Sequence, residues 1–501
     1  MNGKVQQPAG YARLIRQYGL QVIPNWHESA VVAGAGQRVV HADGSIRELY
    51  PAVYWPGDSL GDHLEFALKY DGANLLILAK LFAAAARQDI TQYILSKPSG
   101  KYARRIWYLY EFLTGVRLPI DDTTASNYVD LLDPHEYYTC PGKSIPRQRV
   151  RDNLLGDARF CPTIRRTPQL TTFDRSDLSQ RCREIVAGYP VEILKRALAY
   201  LYTKESKSSF EIENINPTAD RTERFVSLLQ LAEREDFFQK ETLIDLQNRT
   251  VDERFADKDY RTSQNYVGET LSLHGERVHF VSPKPGDLVA LMEGMMASHA
   301  RIGRATDAVH PVVHSTVVGF GFVFMHPFED GNGRVHRFLI HNILARRGFA
   351  PKGLIFPVSA TMLKRMDAYN ASLEAFSRPL MLNVQYTLDD QGRMTVHNET
   401  ADFYRYIDLT PQAEALFDFI RETIDVELVE ELRFLANYDT TKRAIQTIVD
   451  MPDRLIGLFI RCCLQNHGKL SKRKREEFFS VLSDHEVAAM EKAVQDSYQP
   501  E

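Results

Sequence analysis

Apolar residues recur along most of the chain with the period of an α-helix. The runs "NLLILAKLFAAAARQ" from Asn74, "KYARRIWYLYEFLTGVRL" from Lys101 and "VEILKRALAYLY" from Val191 all follow this spacing. The first run is too short, and too interrupted by Lys80, to span a bilayer, so it predicts a buried helix. We therefore expect a mainly α fold.

Two stretches depart from the helical period. The segment "AVVAGAGQRVVHADGS", which starts at Ala30, is rich in Gly and Val and predicts a small sheet or a loop region. The segment "YVGETLSLHGERVHFVSPKPG", residues 266–286, alternates apolar and polar residues around His274 and Gly275 and ends in two prolines. This second pattern predicts a β-hairpin inserted among helices.

The length of the chain predicts more than one domain. It has 501 residues, 44% of them hydrophobic and 25% charged, which is enough to build two or three packed units. A Pro/Gly cluster near Gly188 and a polar turn, "LDDQGRM", before residue 400 mark candidate boundaries. We expect a mostly helical accessory region at 1–188, a central domain at 189–400, and a helical domain at 401–501.

Charge and cysteine usage limit the partners and the compartment. The net charge of −4 gives no general attraction to nucleic acid or to an anionic membrane, and the basic run "KLSKRKREE" from Lys469 suits the solvated face of a helix. Five cysteines without a CxxC pair argue against disulfide and structural zinc sites. A cytoplasmic location with no membrane partner is therefore predicted, while the oligomeric state stays open.

The stretch "HPFEDGNGRVHR", residues 326–337, concentrates chemical groups. Gly-Asn-Gly allows backbone amides to converge in a turn, and the periodic "RVHRFLIHNILARRG" that follows predicts a helix, so the turn lies at a helix N-terminus and can bind an anion. Arg334 and Arg337 lie three residues apart on one face of that helix. Together these features suit a polyphosphate.

Two side chains add a metal and a base to this stretch. Asp330 is a hard oxygen ligand placed where a Mg²⁺ ion that bridges phosphates would lie. His326 titrates near neutrality and can take a proton from an incoming hydroxyl. Phe328, between them, is best interpreted as an apolar anchor for the loop. Polyphosphate and Mg²⁺ together indicate a nucleotide.

The same stretch resembles the signature of the Fic family, H-x-F-x-(D/E)-G-N-G-R-x-x-R. Every specified position matches: His326, Phe328, Asp330, Gly331, Asn332, Gly333, Arg334 and Arg337. The resemblance extends over roughly residues 190–379. It implies a compact helical bundle with a β-hairpin called the flap, at about 262–285, flanked here by accessory helical regions. It also implies that "HPVVHSTVVGFGFVFM", which propensity alone favours as a strand, is a buried helix.

The resemblance further implies protein adenylyltransferase activity, in which AMP passes from ATP to a Ser, Thr or Tyr hydroxyl of a target protein. His326 would be the base and Asp330 the Mg²⁺ ligand. The nucleotide would contact Gly331, Asn332, Gly333, Arg334 and Arg337, with Tyr369 in the adenine pocket. The flap residues Val267, Gly268, Glu269 and Thr270 would align the target by strand addition.

A second motif lies 113 residues before the motif histidine. "SSFEIEN", residues 208–214, resembles the family's inhibitory motif, (S/T)-x-x-x-E-(G/N), with Ser209, Glu213 and Asn214 in the specified places. The resemblance implies a helix at about 190–216 from which Glu213 inhibits the enzyme. The alternative from local pattern is a capping box of Ser208 with Glu211 that opens a short helix.

Other functions stay open at this stage. The same fold could remove AMP, with Glu213 positioning a water, or transfer another nucleotide or phosphate group. Family members that transfer phosphate tend to carry lysine at the position of Gly333. A hypothesis from another class is a regulatory or nucleic-acid-binding protein, in which the domain at 189–400 has lost its activity.

Overall fold

The computed structural model describes residues 6–41, 44–272 and 275–498, and helices dominate it. The mainly α prediction is confirmed. The residues up to 188 form helices α1 to α7 and strands β1 to β7. In chain order they are β1 Gln6–Pro8, α1 Gly10–Tyr18, β2 His27–Val32, β3 Gln37–Val40, β4 Ile46–Pro51, α2 Leu60–Phe66, α3 Leu75–Ala84, α4 Arg87–Ser96, α5 Lys101–Thr114, β5 Val129–Asp130, β6 Lys143–Ile145, β7 Val150–Asp152, α6 Pro168–Arg175 and α7 Leu178–Ala187.

Two small sheets share this N-terminal region with the helices. The first has the order β1-β2-β4-β3, with a parallel pair between β2 and β4, and it confirms the sheet predicted from the Gly/Val-rich segment, of which residues 42–43 lie outside the described residues. The second has the order β5-β7-β6. The helices predicted from Asn74 and Lys101 are α3 and α5, and α3 is buried on nearly all sides.

The central part of the chain is a helical bundle with one hairpin, formed by helices α8 to α15 and strands β8 and β9. These are α8 Val191–Glu211, α9 Ala219–Leu231, α10 Lys240–Thr250, β8 Tyr266–Ser272, β9 Gly275–Val281, α11 Pro285–Gly303, α12 Pro311–Met325, α13 Asn332–Arg346, α14 Val358–Lys364 and α15 Met366–Met381. Strands β8 and β9 pair antiparallel, so the predicted hairpin is present. His274, at its predicted turn, lies outside the described residues.

The rest of the chain adds a second hairpin and six helices. These are β10 Tyr386–Leu388, β11 Met394–Val396, α16 Ala401–Arg405, α17 Thr410–Glu422, α18 Val429–Ile448, α19 Asp453–Leu464, α20 Lys472–Phe478 and α21 Asp484–Tyr498. The polar turn "LDDQGRM" therefore joins β10 to β11. In the part of the chain that the structure describes, no helix is both long and apolar enough to cross a membrane.

Helix α12 forms against its own local preference. Its Val, Phe and Gly content favours a strand, yet all of its residues except Pro311 and Val323 are buried against neighbouring helices. A β-carbon at Gly319 would lie 2.9 Å from Ile340 Cγ1, so the glycine allows α13 to approach closely. Tertiary packing on every side decides this helix, as the resemblance implied.

The hydrophobic cores do not mark the predicted boundaries. One cluster of buried residues runs from Tyr11 to Leu432, across both 188 and 400. A second, smaller cluster joins residues between Ile445 and Val494 in the last helices. The division into 1–188, 189–400 and 401–501 therefore stays a prediction.

Helix α11 holds the N-terminal region against the bundle. A β-carbon at Gly294 would lie 2.7 Å from the backbone nitrogen of Phe160. One turn later the Ser298 hydroxyl donates to the Leu155 carbonyl oxygen at 2.7 Å. Because the atoms facing Gly294 belong to backbone, they cannot rotate away from a larger residue. The close approach of the two segments therefore depends on this glycine.

We expect Gly294→Ala to lower the free energy of unfolding by about 1–3 kcal/mol, because the added methyl group overpacks against backbone. Gly286→Ala in the same helix is the matched control, since no atom lies within 4 Å of its β-carbon position. Urea denaturation followed by circular dichroism measures both variants. Equal stability of the two variants would contradict the close contact.

Candidate functional site: the loop between helices α12 and α13

The functional loop starts and ends with residues in the left-handed backbone region. Helix α12 is capped by His326, with φ 48° and ψ 58°. Gly331, with φ 86°, is the N-cap of α13. The predicted turn therefore does lie at a helix N-terminus, where the first backbone amides of a helix lack helical partners and attract anions.

Asn332 closes the loop on itself. Its side-chain Nδ2 donates to the Phe328 carbonyl oxygen at 2.8 Å, and its Oδ1 accepts from the Phe328 amide at 3.0 Å. Phe328 is fully buried and anchors the loop, as predicted. The sequence prediction gave Asn332 a phosphate contact, but in the structure its side chain shapes the loop and is itself buried. A single Asn side chain can satisfy both main-chain groups of one residue because it carries a donor and an acceptor.

His326 is held in one tautomer. Its Nδ1 lies 3.2 Å from the Val323 carbonyl oxygen, which can only accept, so Nδ1 carries the proton and Nε2 has a lone pair. Burial and the nearby Arg261 cation lower the pKa of His326 to about 4. The imidazole is therefore neutral at physiological pH and able to accept a proton at Nε2.

The Glu213 carboxylate bridges the two motif arginines. Its Oε2 lies 2.9 Å from Arg334 Nε, and its Oε1 lies 2.7 Å from Arg337 Nη2. Both arginine side chains are almost completely buried, whereas about a quarter of the Glu213 side chain is exposed. A β-carbon at Gly333 would lie 2.4 Å from Glu213 Oε1. The carboxylate therefore occupies the space directly above the first turn of α13.

The arginines also bind backbone and other side chains. Arg334 donates to the Thr250 carbonyl oxygen and to Asp330 Oδ1, each at 2.8 Å. Arg337 donates through Nε to the Ser209 hydroxyl at 2.9 Å and through Nη2 to the Ser209 carbonyl oxygen at 2.5 Å. The planar guanidinium groups are therefore fixed in position before any ligand arrives.

Helices α8 and α13 contact each other through a row of polar side-chain pairs. Glu205 accepts a hydrogen bond from His341 at 2.7 Å, and Ser209 and Glu213 follow at four-residue steps to meet Arg337 and the first turn of α13. Glu205 and His341 are both buried. Because residues four apart share one helix face, Glu205, Ser209 and Glu213 line up along the contact between the two antiparallel helices.

Asn214 ends α8 with left-handed backbone, at φ 56°. The Ile215 amide reaches back to the Phe210 carbonyl oxygen at 3.1 Å, which is the hydrogen bond of a Schellman helix end. Asn and Gly are the residues that adopt this conformation most readily. Ser208 lies inside α8, so the capping-box alternative, in which it would open a helix with Glu211, is wrong.

Asp330 fits the chemistry of a Mg²⁺ ligand. Its carboxylate is half exposed, and Oδ1 is fixed by Arg334 and by the Gly331 amide at 2.6 Å. Mg²⁺ commonly takes one or two protein carboxylates and fills its other positions with water and phosphate oxygens. Among the described residues, no group of three or more His, Cys, Asp or Glu side chains is arranged to hold a metal by itself. The described side chains alone therefore do not supply a complete set of metal ligands at this loop.

Sequence comparison agrees with this geometry. The model of the Fic/DOC family matches residues 237–344. Residues 237–344 form a Fic domain. The match includes helices α11 and α12, the complete loop and α13 up to residue 344, but it begins after the segment that carries Glu213.

Annotated relatives align with a limited part of the chain. The protein adenylyltransferase Fic of Drosophila grimshawi is 34% identical over 93 residues, which cover 19% of this chain and 17% of the relative. The protein of the same name from Culex quinquefasciatus is 29% identical over 126 residues, or 24% of this chain and 22% of the relative. The aligned part of the chain thus spans about a fifth of the length of these relatives.

Two solved structures are also similar to this chain. A Fic family protein from Desulfovibrio desulfuricans G20 has 18% identity and a TM-score of 0.34, covering 63% of this chain and 85% of the other. A Fic domain containing signaling protein from Bacteroides thetaiotaomicron VPI-5482 has 15% identity and a TM-score of 0.37, covering 52% and 97%.

Tyr369 lies inside the bundle beside the Fic domain. The side chain is 4% exposed, and its ring stacks on that of His336 with centroids 6.3 Å apart. Burial raises the pKa of the Tyr369 phenol, and the positive charge of Arg337 partly opposes that rise. The sequence prediction placed Tyr369 in an adenine pocket, but this burial leaves little of the ring to face a base. The adenine contact of Tyr369 therefore stays a prediction.

The hairpin β8–β9 presents its first strand to solvent. Residues 267–270 are exposed, and the pairing register shifts between Val267 and Gly268 and again between Thr270 and Ser272. On β9, the buried Phe280 ring lies 6.5 Å, centroid to centroid, from the His326 ring. The flap is therefore anchored next to the histidine and leaves one strand edge for pairing.

Residues outside the motif support the Fic loop and were missed from the sequence. Gln247 on α10 donates to the Asp330 carbonyl oxygen at 3.2 Å, and the Asp257 carboxylate accepts from the Glu329 amide at 3.1 Å. Arg261 donates to the His326 carbonyl oxygen at 2.8 Å. No local pattern marks these three residues, because each acts through a main-chain group that lies 65 or more positions away in sequence.

We expect Glu213→Gln to lower the melting temperature in buffer, because two buried guanidinium groups lose their carboxylate, at a cost of about 1–3 kcal/mol. Inorganic tripolyphosphate should raise the melting temperature of Glu213→Gln more than that of the wild type, since its oxygens replace the carboxylate. Glu211→Gln is the control, because Glu211 lies two positions before Glu213, at the end of α8, and is exposed. Equal tripolyphosphate shifts in all three proteins would contradict an anion site covered by Glu213.

Proposed function

We propose that this protein transfers AMP from ATP to a hydroxyl group of a target protein. The observation that carries the proposal is a neutral His326, fixed as the Nδ1–H tautomer, at a loop that ends at a helix N-terminus with two buried arginines. The naming of the aligned relatives as protein adenylyltransferases supports the same reaction. Only a fraction of those relatives is aligned, so the activity of the whole chain is a proposal.

The chemistry needs one base and one activated phosphate. The target hydroxyl gives its proton to Nε2 of His326 while its oxygen attacks the α-phosphorus of ATP. The bond between that phosphorus and the oxygen bridging to the β-phosphate breaks, and pyrophosphate leaves. With a pKa of about 4, His326 is unprotonated at Nε2 at neutral pH and can accept the proton of the hydroxyl. Its left-handed backbone fixes the position of the ring.

The first turn of α13 supplies the phosphate site. The backbone amides of Gly331 and Gly333 and the guanidinium groups of Arg334 and Arg337 offer donors and positive charge to the phosphate oxygens. Mg²⁺, held by Asp330, would neutralise phosphate charge when it is bound with ATP. In this assignment Asn332 acts by fixing the loop.

The flap provides the surface for the target. An extended segment can add to the exposed edge at Val267, Gly268, Glu269 and Thr270 through main-chain hydrogen bonds, which brings its hydroxyl to His326. A β-carbon at Gly268 would lie 2.7 Å from the Arg277 carbonyl oxygen, so this bulge requires a glycine. Main-chain pairing leaves the choice of target sequence to the side chains around the flap.

Glu213 acts as an inhibitor in this proposal. Its carboxylate forms ion pairs with Arg334 and Arg337, the two cations that the β- and γ-phosphates would use, and it fills the space above Gly333. ATP then binds with its phosphates displaced from the geometry for in-line attack. Ser209 and Asn214 support Glu213, the first by holding Arg337 and the second by ending α8 at the right residue.

We expect His326→Ala to reduce incorporation of label from α-labelled ATP by about a hundredfold to ten-thousandfold, because the base is lost. ATP binding, measured by calorimetry, should stay close to wild type, since His326 contacts no phosphate. His397→Ala is the matched control, because His397 is exposed and lies just after β11. Undiminished labelling by His326→Ala would remove the base from the mechanism.

We expect Glu213→Gly to label itself and its targets faster than the wild type at saturating ATP and Mg²⁺. Arg337→Ala breaks the same ion pair but loses the γ-phosphate contact, so it should not be activated. The double variant should behave like Arg337→Ala, because the benefit of removing Glu213 acts through that arginine. A Glu213→Gly protein no faster than wild type would show that the upstream motif does not inhibit.

A further inference from the structure

The left-handed backbone of His326 needs support from outside the motif. Residues other than glycine adopt this conformation rarely, and they keep it where the surrounding structure fixes it. Within the loop, the His326 amide donates to the Phe322 carbonyl oxygen at 3.0 Å, which closes α12. That bond ends the helix but does not determine how the chain leaves it toward Pro327.

Arg261 supplies the missing support. Its Nε donates to the His326 carbonyl oxygen at 2.8 Å, and its own backbone amide donates to the Pro327 carbonyl oxygen at 2.9 Å. Two consecutive carbonyl groups of the loop are therefore bound by a single residue. Since a guanidinium is planar and its donors have fixed directions, these bonds restrict rotation of the peptide unit after His326.

The same guanidinium holds both ends of the flap. Nη1 donates to the Ser263 carbonyl oxygen at 2.7 Å and Nη2 to the Pro283 carbonyl oxygen at 2.6 Å, immediately before and after the hairpin. Asn265 adds a bond from Nδ2 to the Phe328 carbonyl oxygen at 3.1 Å. The distance between the histidine and the exposed strand is therefore fixed through one side chain.

Arg261 places a charged group at a buried position, where a neutral hydrogen-bond donor would lose less hydration free energy. The side chain is 5% exposed, and every hydrogen bond described above goes to a main-chain carbonyl oxygen. Burial lowers the pKa of the Arg261 guanidinium to about 10. Burying a cation against carbonyl groups is expensive, which argues for a role that requires three donors in one rigid plane.

We propose that Arg261 is a positioning residue that sets His326 and the flap in one rigid unit, so that the target hydroxyl meets Nε2. This inference rests on the proposed function, since it assigns the alignment step of that reaction. Arg261 contacts neither substrate in this assignment. Its loss should reduce the rate of transfer and leave ATP binding intact.

The test uses the full chain carrying Glu213→Gly, with Arg261→Met, Arg261→Lys or no further change. We expect Arg261→Met to lower the self-labelling rate constant with α-labelled ATP about a hundredfold, with the half-saturating ATP concentration unchanged within about twofold. Arg261→Lys keeps the charge but concentrates its donors at one point, so it should recover little. Arg254→Met is the control, because Arg254 is exposed and pairs with Asp252 only two positions away.

Hydrogen exchange measured by mass spectrometry on the same proteins gives a second readout that needs no activity. We expect faster exchange in Arg261→Met at residues 326–331 and at both ends of the flap, with exchange in α3, α17 and α21 unchanged. Faster exchange throughout the chain would make Arg261 a general stabiliser and overturn the proposal. An unchanged rate constant, or a loss seen only as weaker ATP binding, would overturn it as well.

The two proposals can fail separately. If Glu213→Gly shows no labelling that depends on His326, the proposed AMP transfer is wrong, and the exchange pattern alone decides whether Arg261 holds the loop. If labelling depends on His326 but not on Arg261, the proposed AMP transfer is supported and the positioning role of Arg261 is wrong.

Discussion

Two buried guanidinium groups in the first turn of α13 must have negative partners, and this requirement organises the centre of the molecule. Arg334 and Arg337 are almost completely buried, and a buried charge without a partner is strongly destabilising. In this structure the Glu213 carboxylate, just after α8, pairs with both, and Asp330 also pairs with Arg334. A polyphosphate can meet it equally well, because it offers the same kind of oxygen at the same place. In the proposed function, competition between these two partners would set the ligand preference of the site and control its activity.

The position of Glu213 follows from how α8 contacts α13. The hydrogen-bonded pair of Glu205 and His341 is buried at one end of this contact. At the other end of the contact, the Schellman turn at Asn214 ends the helix. Between them, Ser209 holds Arg337 from the side away from the loop. Removing the carboxylate alone would therefore leave the helix contact in place, so release of the site does not require α8 to leave the bundle.

The loop that carries His326 is held from three directions. Asn332 closes it from within, Gln247 and Asp257 bind its outer backbone, and Arg261 connects it to the flap. Nearly all of these bonds join a side chain to a main-chain group. A loop of this kind can have a fixed shape while its own side chains, His326 and Asp330, stay available for chemistry.

The sequence by itself determined the chemical content of the site. The motif at 326–337 predicted a helix N-terminus with two arginines on one face, and the alternating run at 266–286 predicted the hairpin; both are present because these periods and turn residues act locally. Tertiary structure decided the rest. Helix α12 forms because it is covered on nearly every side, Tyr369 is buried beside Arg337, and Asn332 binds Phe328. Arg261 and Glu205 carry no local signal, because their partners are main-chain and side-chain groups brought close only when distant helices pack together.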